Sequence, residues 1–372
     1  MNSGATSLAY TARDLEQDTL AIDANYSQPF ELLGQVSEFV VGTDFKRYET
    51  EYADARGNLG PINVVNYHPS QTRKPNVAFG KPTKTDEREA GLYAKLTFRP
   101  IERLALIGGA RVSSFEGENS SATQDVRESG YVTPYGGLVF DLDDQHSLYA
   151  SYSQVFKPQS EAGAGGRIID PREGEQYEVG IKGSYYGGDL NARISAFQLT
   201  DENRATGAID ENGVPIGGVY EATGKTRIRG GELEISGYLT SDWQVLAGYT
   251  YMKTENLAGD DNTLFALMPR HQASLWTQYT LPGGGLRGLG IGGGVTAMSD
   301  YHIERAGSPR LSAPGYAVVD AKLSYPFTDK LTGTFDVNNL LDRKYVSRVG
   351  SVGTFNFYGP SRSVSVGARY EF

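Results

Sequence analysis

Apolar and polar residues alternate with a period of two along most of this chain, most cleanly in its last stretch. Val364, Val366, Ala368, Tyr370 and Phe372 are apolar, while Ser363, Ser365, Arg369 and Glu371 stand between them. Successive side chains of a strand point to opposite faces, so this segment reads as a strand with one apolar and one polar side. Upstream, Leu20, Ile22, Ala24 and Tyr26 repeat the pattern against Asp23, Asn25 and Ser27. Ten-residue alternating segments, joined in turn by short turns and long polar loops, predict an antiparallel transmembrane barrel with a lipid-facing outside and a wet lumen.

The chain divides into hairpins on this basis. A turn at Leu33 and Gly34 leads into SEFVVGTDFKRY, and a polar, proline-containing stretch then runs from Tyr48 to Thr85, which reads as a long loop. REAGLYAKLTF pairs with RLALIGGARVSSF, YVTPYGGLVFDL with SLYASYSQVF, and EQYEVGIKGSYY with LNARISAFQLT. RGGELEISGYLT pairs with WQVLAGYTYM, QASLWTQYTL with LGIGGGVTAM, and YAVVDAKLSYPF with LTGTFDVNNLL, before the last strand returns alone. Residues 18–372 thus form the barrel region, with about fifteen strands, and residues 1–17 are an uncertain segment that would supply a partial sixteenth. A closed bacterial barrel has an even number of strands, so an odd count implies that the N-terminal piece contributes or that further strands lie upstream.

Composition agrees. The 46 glycines suit curved strands, and the 24 tyrosines suit interfacial girdles. No run of about 18 apolar residues is present, so no transmembrane helix is expected. The negative mean hydropathy is no obstacle, because only alternate strand residues meet lipid. A net charge of −10 argues against nucleic-acid binding, which needs a basic stripe, and the absence of cysteine removes disulfides and thiolate metal sites. The opening MNSGATSLAY has neither the basic nor the apolar region of an export signal.

Several segments, in order, resemble one family. ASYSQVFKPQS, EGEQYEVGIKG, RGGELEISGYLTSDWQVLAGYTYMKTE, PRHQASLWTQYTLPG and GLGIGGGVTAMSD are similar to TonB-dependent outer-membrane receptors for ferric siderophores of the hydroxamate or mixed-chelate kind. NNLLDRKYVS and FYGPSRSVSVGARYEF look like that family's terminal hairpin, and the likeness covers nearly the whole chain. The resemblance implies a barrel of about 22 strands filled by an N-terminal plug. It also implies import of an iron chelate energised by the TonB complex, assembly in the bacterial outer membrane by the barrel-assembly machinery, and a terminal assembly strand carrying Val364, Val366, Tyr370 and Phe372. No plug or TonB-contacting box is recognisable here, so the expectation is the C-terminal part of such a receptor.

Candidate chemistry points to binding. His68, His146, His271 and His302 are scattered, with no metal-ligand spacing, and no nucleophile and base pair stands out, so no enzyme, cofactor or metal site is expected. A ferric siderophore arrives with its iron already wrapped in oxygen ligands. Its receptor needs aromatic and polar walls rather than metal ligands. Tyr48, Phe156, Arg270, Tyr301 and Phe355, at upper strand ends and in long loops, are the candidate wall residues. Tyr48, Phe156 and Tyr301 equally suit a girdle facing headgroups, and Phe156 shares the even, lipid-facing parity of Ala150 and Tyr152. GDDNT at 259–263 reads as a solvated loop rather than a calcium site. The glycines from Gly283 to Gly294 precede no helix, so they mark bends or close backbone approach rather than a phosphate cradle. The alternatives are a passive, self-closed pore and a non-transporting remnant.

Overall fold

The computed structural model describes residues 4–63, 65–68, 70, 72–120, 125–211, 214–258, 268–303, 309–350 and 356–372. Phe355 and the acidic tract 259–263 lie outside the described residues. The strands are β1 (Ala5–Leu32), β2 (Gln35–Asn63), β3 (Thr83–Ile101), β4 (Leu104–Asn119), β5 (Val126–Asp141), β6 (His146–Lys157) and β7 (Arg172–Tyr185). There follow β8 (Leu190–Ile209), β9 (Pro215–Thr240), β10 (Trp243–Ala258), β11 (His271–Thr280) and β12 (Gly290–Met298). The remainder are β13 (Tyr301–Ile303), β14 (Leu311–Ala313), β15 (Tyr316–Pro326), β16 (Leu331–Asn338), β17 (Val346–Arg348), β18 (Phe357–Tyr358) and β19 (Ser363–Tyr370).

Fifteen of these make one antiparallel sheet in chain order, β1 to β12 followed by β15, β16 and β19. Among the described residues β1 and β19 each have a single neighbour, so the sheet is a curved wall with two free edges. The two short hairpins, β13 with β14 and β17 with β18, sit in the connections on the long-loop side.

Directly opposed residues of an antiparallel pair share a face, and here the register carries one apolar stripe across the whole wall. Tyr26 opposes Val41, and Val41 opposes Ala94. Leu92 opposes Val112, which in turn opposes Val132. Ile181 opposes Ile194, Ile194 opposes Leu233, and Leu233 opposes Tyr249. The stripe ends with Phe335 against Val366. Leu92 is 64% exposed, Ile194 57% and Val366 81%. Side chains so apolar and so uncovered along a continuous face are tolerable in lipid and not in water.

Two differences from the sequence reading have a common cause. The stretch after Tyr48 is not a long loop throughout: β2 continues to Asn63 and β3 begins at Thr83. Residues 5–17 likewise continue into β1, and Ala5 pairs with Asn63 across the hairpin. These extensions project beyond the apolar band, where water meets both faces. Alternation then disappears from the sequence while the backbone ladder continues.

Candidate functional site

The face opposite the lipid stripe is lined with charges that pair across strands. Arg111 on β4 donates to the carboxylate of Asp44 on β2, to Glu89 Oε1 on β3 at 2.9 Å, and through Nε to Ser113 Oγ at 2.9 Å. Tyr93 Oη donates to Asp23 at 3.0 Å. On β8, Arg193 lies 3.2 Å from Glu234, 3.5 Å from Glu232 and 3.8 Å from Glu178. Tyr149 donates to Glu178, and Lys182 Nζ lies 4.8 Å from the centre of the Tyr149 ring. Lys322 reaches Asp336 at 2.9 Å. Partly exposed pairs of this kind contribute about 0–1 kcal/mol each, so their main consequence is a hydrated, charged lumenal surface.

Aromatic rings on the same face lie over glycines of the neighbouring strand. Tyr93 covers Gly42, Tyr149 covers Gly180, and Trp276 on β11 covers Gly292 and Gly294 on β12. A methyl group built at Gly292 would come within 2.9 Å of the Trp276 ring, and one at Gly294 within 2.6 Å. Close approach is therefore the reason for those two glycines. Gly284 and Gly288, with φ of 79° and 85°, belong instead to the turn before β12.

The long-loop rim is held by two buried amides whose hydrogen bonds are satisfied. Gln159 Nε2 donates to Asp170 O at 2.6 Å and Asn203 O at 2.7 Å, while its Oε1 accepts from Ala205 N at 3.1 Å. This ties the β6–β7 connection to β8. Asn339 Nδ2 donates to Arg343 O at 2.9 Å and Pro360 O at 3.0 Å, and its Oδ1 accepts from Arg343 N at 2.8 Å. A small apolar cluster of Tyr301, Ala313 and Val349, with Leu311 and Val346 against it, completes this corner.

The candidate wall residues are spread around the rim. Tyr48 shares the parity of Asp44 and Lys46, which face the lumen; its hydroxyl accepts from Gln17 Nε2, and it borders a cleft of about 230 Å³ with Lys46, Glu87, Glu89 and Phe115. Phe156 stacks on Tyr131, with ring centres 4.2 Å apart and planes 17° from parallel. Arg270 is exposed just before β11, on the parity of Gln272 and Ser274, and its carbonyl accepts from Met252 N at 2.9 Å. Tyr301 is 6% exposed inside the loop cluster, and burial pushes its hydroxyl pKa up. The structure does not bring Tyr48 and Phe156 together, since β2 and β6 are four strands apart, roughly 19 Å along the wall.

Sequence reasoning passed over Arg111, Arg193, Tyr93, Tyr149 and Trp276. The available signal was a large or charged residue on the polar parity, such as Tyr93 between Leu92 and Ala94. Among the described residues no group of three or more His, Asp or Glu is placed to hold a metal. His146 pairs with Asp143, His271 with Tyr249 and His302 with Arg310.

Comparison with known proteins adds an independent line. The family model described as TonB dependent receptor-like, beta-barrel matches residues 2–340. The ferric-pyoverdine 358 receptor of Pseudomonas putida is 32% identical, over 99% of this chain and 46% of the relative. The ferripyoverdine receptor of Pseudomonas aeruginosa is 32% identical, over 96% of this chain and 45% of the relative. The crystal structure of a ferripyoverdine receptor of Pseudomonas aeruginosa bound to ferripyoverdine superposes with a TM-score of 0.87 at 29% identity, covering 100% of this chain and 50% of that one. The chain spans about half the length of the curated relatives it matches.

Proposed function

We propose, from the premise that this chain belongs to the TonB dependent receptor-like β-barrel family, that it forms outer-membrane wall for the uptake of a ferric siderophore driven by the TonB complex. The observation that carries this reading is the division of one continuous sheet into a lipid face and a charged, wet lumenal face. The names of the relatives direct the choice of chelate to ferric pyoverdine or a similar mixed chelate or hydroxamate. In this reading the chelate meets the lumenal rim near Tyr48 and Arg270, with Phe355 as a further candidate wall residue, whereas the unbroken register of β6 keeps Phe156 on the face of Leu148, which opposes Ile181 of the lipid stripe. Because the iron is already coordinated, these residues supply shape and hydrogen bonds rather than metal ligands.

A passive, self-closed pore is the rival reading. The free edges of β1 and β19 speak against closure of this sheet on itself, because unpaired backbone groups are costly in lipid. The barrel-assembly machinery would act on the terminal strand through Val364, Val366, Tyr370 and Phe372.

The test is uptake of radiolabelled ferric pyoverdine by cells that depend on the gene carrying this sequence, with and without TonB. TonB-dependent uptake is expected. TonB-independent leakage of small solutes, with no chelate binding, would replace the proposal with the pore. Within the site, Arg270→Ala is expected to weaken chelate binding by more than about 0.5 kcal/mol, the span of uninvolved surface changes. A smaller effect removes Arg270 from the wall.

A further inference from the structure

The β8–β9 hairpin rises past its neighbours. β8 pairs with β7 as far as Glu202, opposite Glu173, and β9 pairs with β10 as far as Lys225, opposite Ala258. Among the described residues, 203–209 and 215–224 then have only each other as ladder partners. A two-stranded ribbon standing alone in water is marginally stable at best. The β6–β7 connection holds this one at both of its outer edges. Ala205 on β8 opposes Ala222, and its amide points away from β9 to Gln159 Oε1 at 3.1 Å. Tyr220 on β9 opposes Gly207, and its amide points away from β8 to Ala162 O at 2.9 Å. Residues 159–162 therefore span the ribbon from one edge to the other. The returning arm of the connection is pinned to the outgoing one, since Ala162 bridges Ile168 and Ile169 N donates to Glu161 O at 3.1 Å. A methyl group built at Gly163 would lie 3.3 Å from Tyr220 O and 3.2 Å from the Ile169 side chain, so strap and ribbon are in direct contact.

Gln159 is the knot of this arrangement. It is 8% exposed, and its Nε2 and Oε1 are spent on Asp170 O, Asn203 O and Ala205 N. β8 is shaped to receive it. The register shifts between Asp201 and Arg204, and Asn203 takes the left-handed region with φ of 58°, which turns its carbonyl out of the ladder towards Gln159. Asn203 Nδ2 completes the clasp by donating to Pro171 O at 3.2 Å. A glutamine so placed has no low-energy alternative position, because releasing it leaves buried backbone groups unpaired.

We propose that Gln159 is a positioning residue for chelate capture: it locks the β6–β7 connection across the β8–β9 ribbon, so that this part of the mouth is rigid before the chelate arrives rather than folding over it afterwards. The role in capture rests on the import reading; the clasp itself does not. A wall ordered in advance spares the chelate the entropy of ordering a loop, so Gln159 contributes to affinity and not to the rate of translocation.

The chain contains no cysteine, so spin labels on Ala164→Cys and Gly217→Cys, both exposed positions, report the distance between strap and ribbon in the protein purified from outer membranes. With Gln159 intact, one narrow distance distribution is expected, unchanged by ferric pyoverdine. With Gln159→Leu the distribution is expected to broaden, and saturating ferric pyoverdine to narrow it again. In cells, that variant is expected to raise the concentration for half-maximal uptake by about tenfold with the maximal rate unchanged. Gln159→Glu accepts from Ala205 but donates only when protonated, so its distribution is expected to be broad at neutral pH and to narrow as pH falls through the carboxyl range. A distribution that is broad with Gln159 intact, or that shifts when ferric pyoverdine binds, makes the connection a moving flap and overturns the proposal. So does a narrow distribution with Gln159→Leu, or a half-saturating concentration that stays at the wild-type value. If Gln159→Leu does not fold, as judged by heat-dependent gel mobility, Gln159→Glu at neutral pH takes its place. The distances without chelate test the clasp whether or not uptake depends on TonB, so failure of the clasp and failure of the import reading are told apart.

Discussion

Leu33 and Gly34 both occupy the left-handed region, with φ of 57° and 73°, because a two-residue turn between right-twisted strands needs positive φ at both central positions. Leucine is an awkward choice there, and its side chain is 69% exposed with nothing to offset the strain. Leu33→Asn is expected to stabilise the β1–β2 hairpin by about 0.5–1 kcal/mol, read as a higher urea midpoint of the folded protein. A midpoint that falls would mean that Leu33 packs in the membrane. In the β5–β6 turn, Asp143 accepts from the amides of Gln145 at 2.8 Å and His146 at 2.9 Å. These amides, and the His146 ring beside them, hold its carboxyl below the usual range. Its contribution is complete above the unfolded carboxyl value of about 3.9 and is lost as pH falls through the lower folded value. Protection of the two amides from hydrogen exchange is expected to drop over that acidic interval, and Asp143→Ala is expected to abolish the pH dependence. The turns themselves were legible in the sequence; the acceptor role of Asp143 was not, because it depends on how the turn closes.

At the level of the strands, β11 and β12 show what alternation says and what it omits. QASLWTQYTL was readable as a strand, but Trp276 falls on the polar parity, where an aromatic ring needs a bare neighbour. Gly292 and Gly294 supply it. Gly294→Ala would place a methyl 2.6 Å from the Trp276 ring and 2.8 Å from the Leu275 carbonyl oxygen. It is expected to cost about 1–3 kcal/mol, as overpacking does, with a change in tryptophan emission. An unchanged emission and midpoint would place the ring elsewhere. The ends of β2 and β3 were misread for the opposite reason: outside the bilayer both faces are solvated, so extended backbone persists without an amphipathic signature.

For the whole molecule, the decisive property is that one wall separates two solvents. Val366, opposite Phe335, and Ser365, opposite Asp336, are adjacent in sequence but belong to different faces. Val366→Arg puts a charge into lipid and is expected to destabilise by about 2–4 kcal/mol near the bilayer midplane. Ser365→Arg enters a lumenal surface already lined with charge and is expected to change stability by less than about 0.5 kcal/mol. Unfolding of both variants from lipid vesicles tests the assignment, and equal effects would reverse it or dissolve it.

The fifteen strands of the main sheet, their direction and their lipid face were readable from residue order where they cross the apolar band, because lipid acts on each side chain separately and a period of two records that local selection; the short hairpins of β13 with β14 and β17 with β18, outside that band, were not. The candidate rim was less legible. Tyr301 looked like an interfacial aromatic and proved to be the centre of a loop cluster, while Gln159 and Asn339 carried no pattern at all. Their roles arise from partners tens of residues away, brought close only when the wall forms and its connections fold back. The same is true of Arg111 among Asp44 and Glu89. Periodicity assigns a residue to a face; the register between strands decides which residues on that face become neighbours.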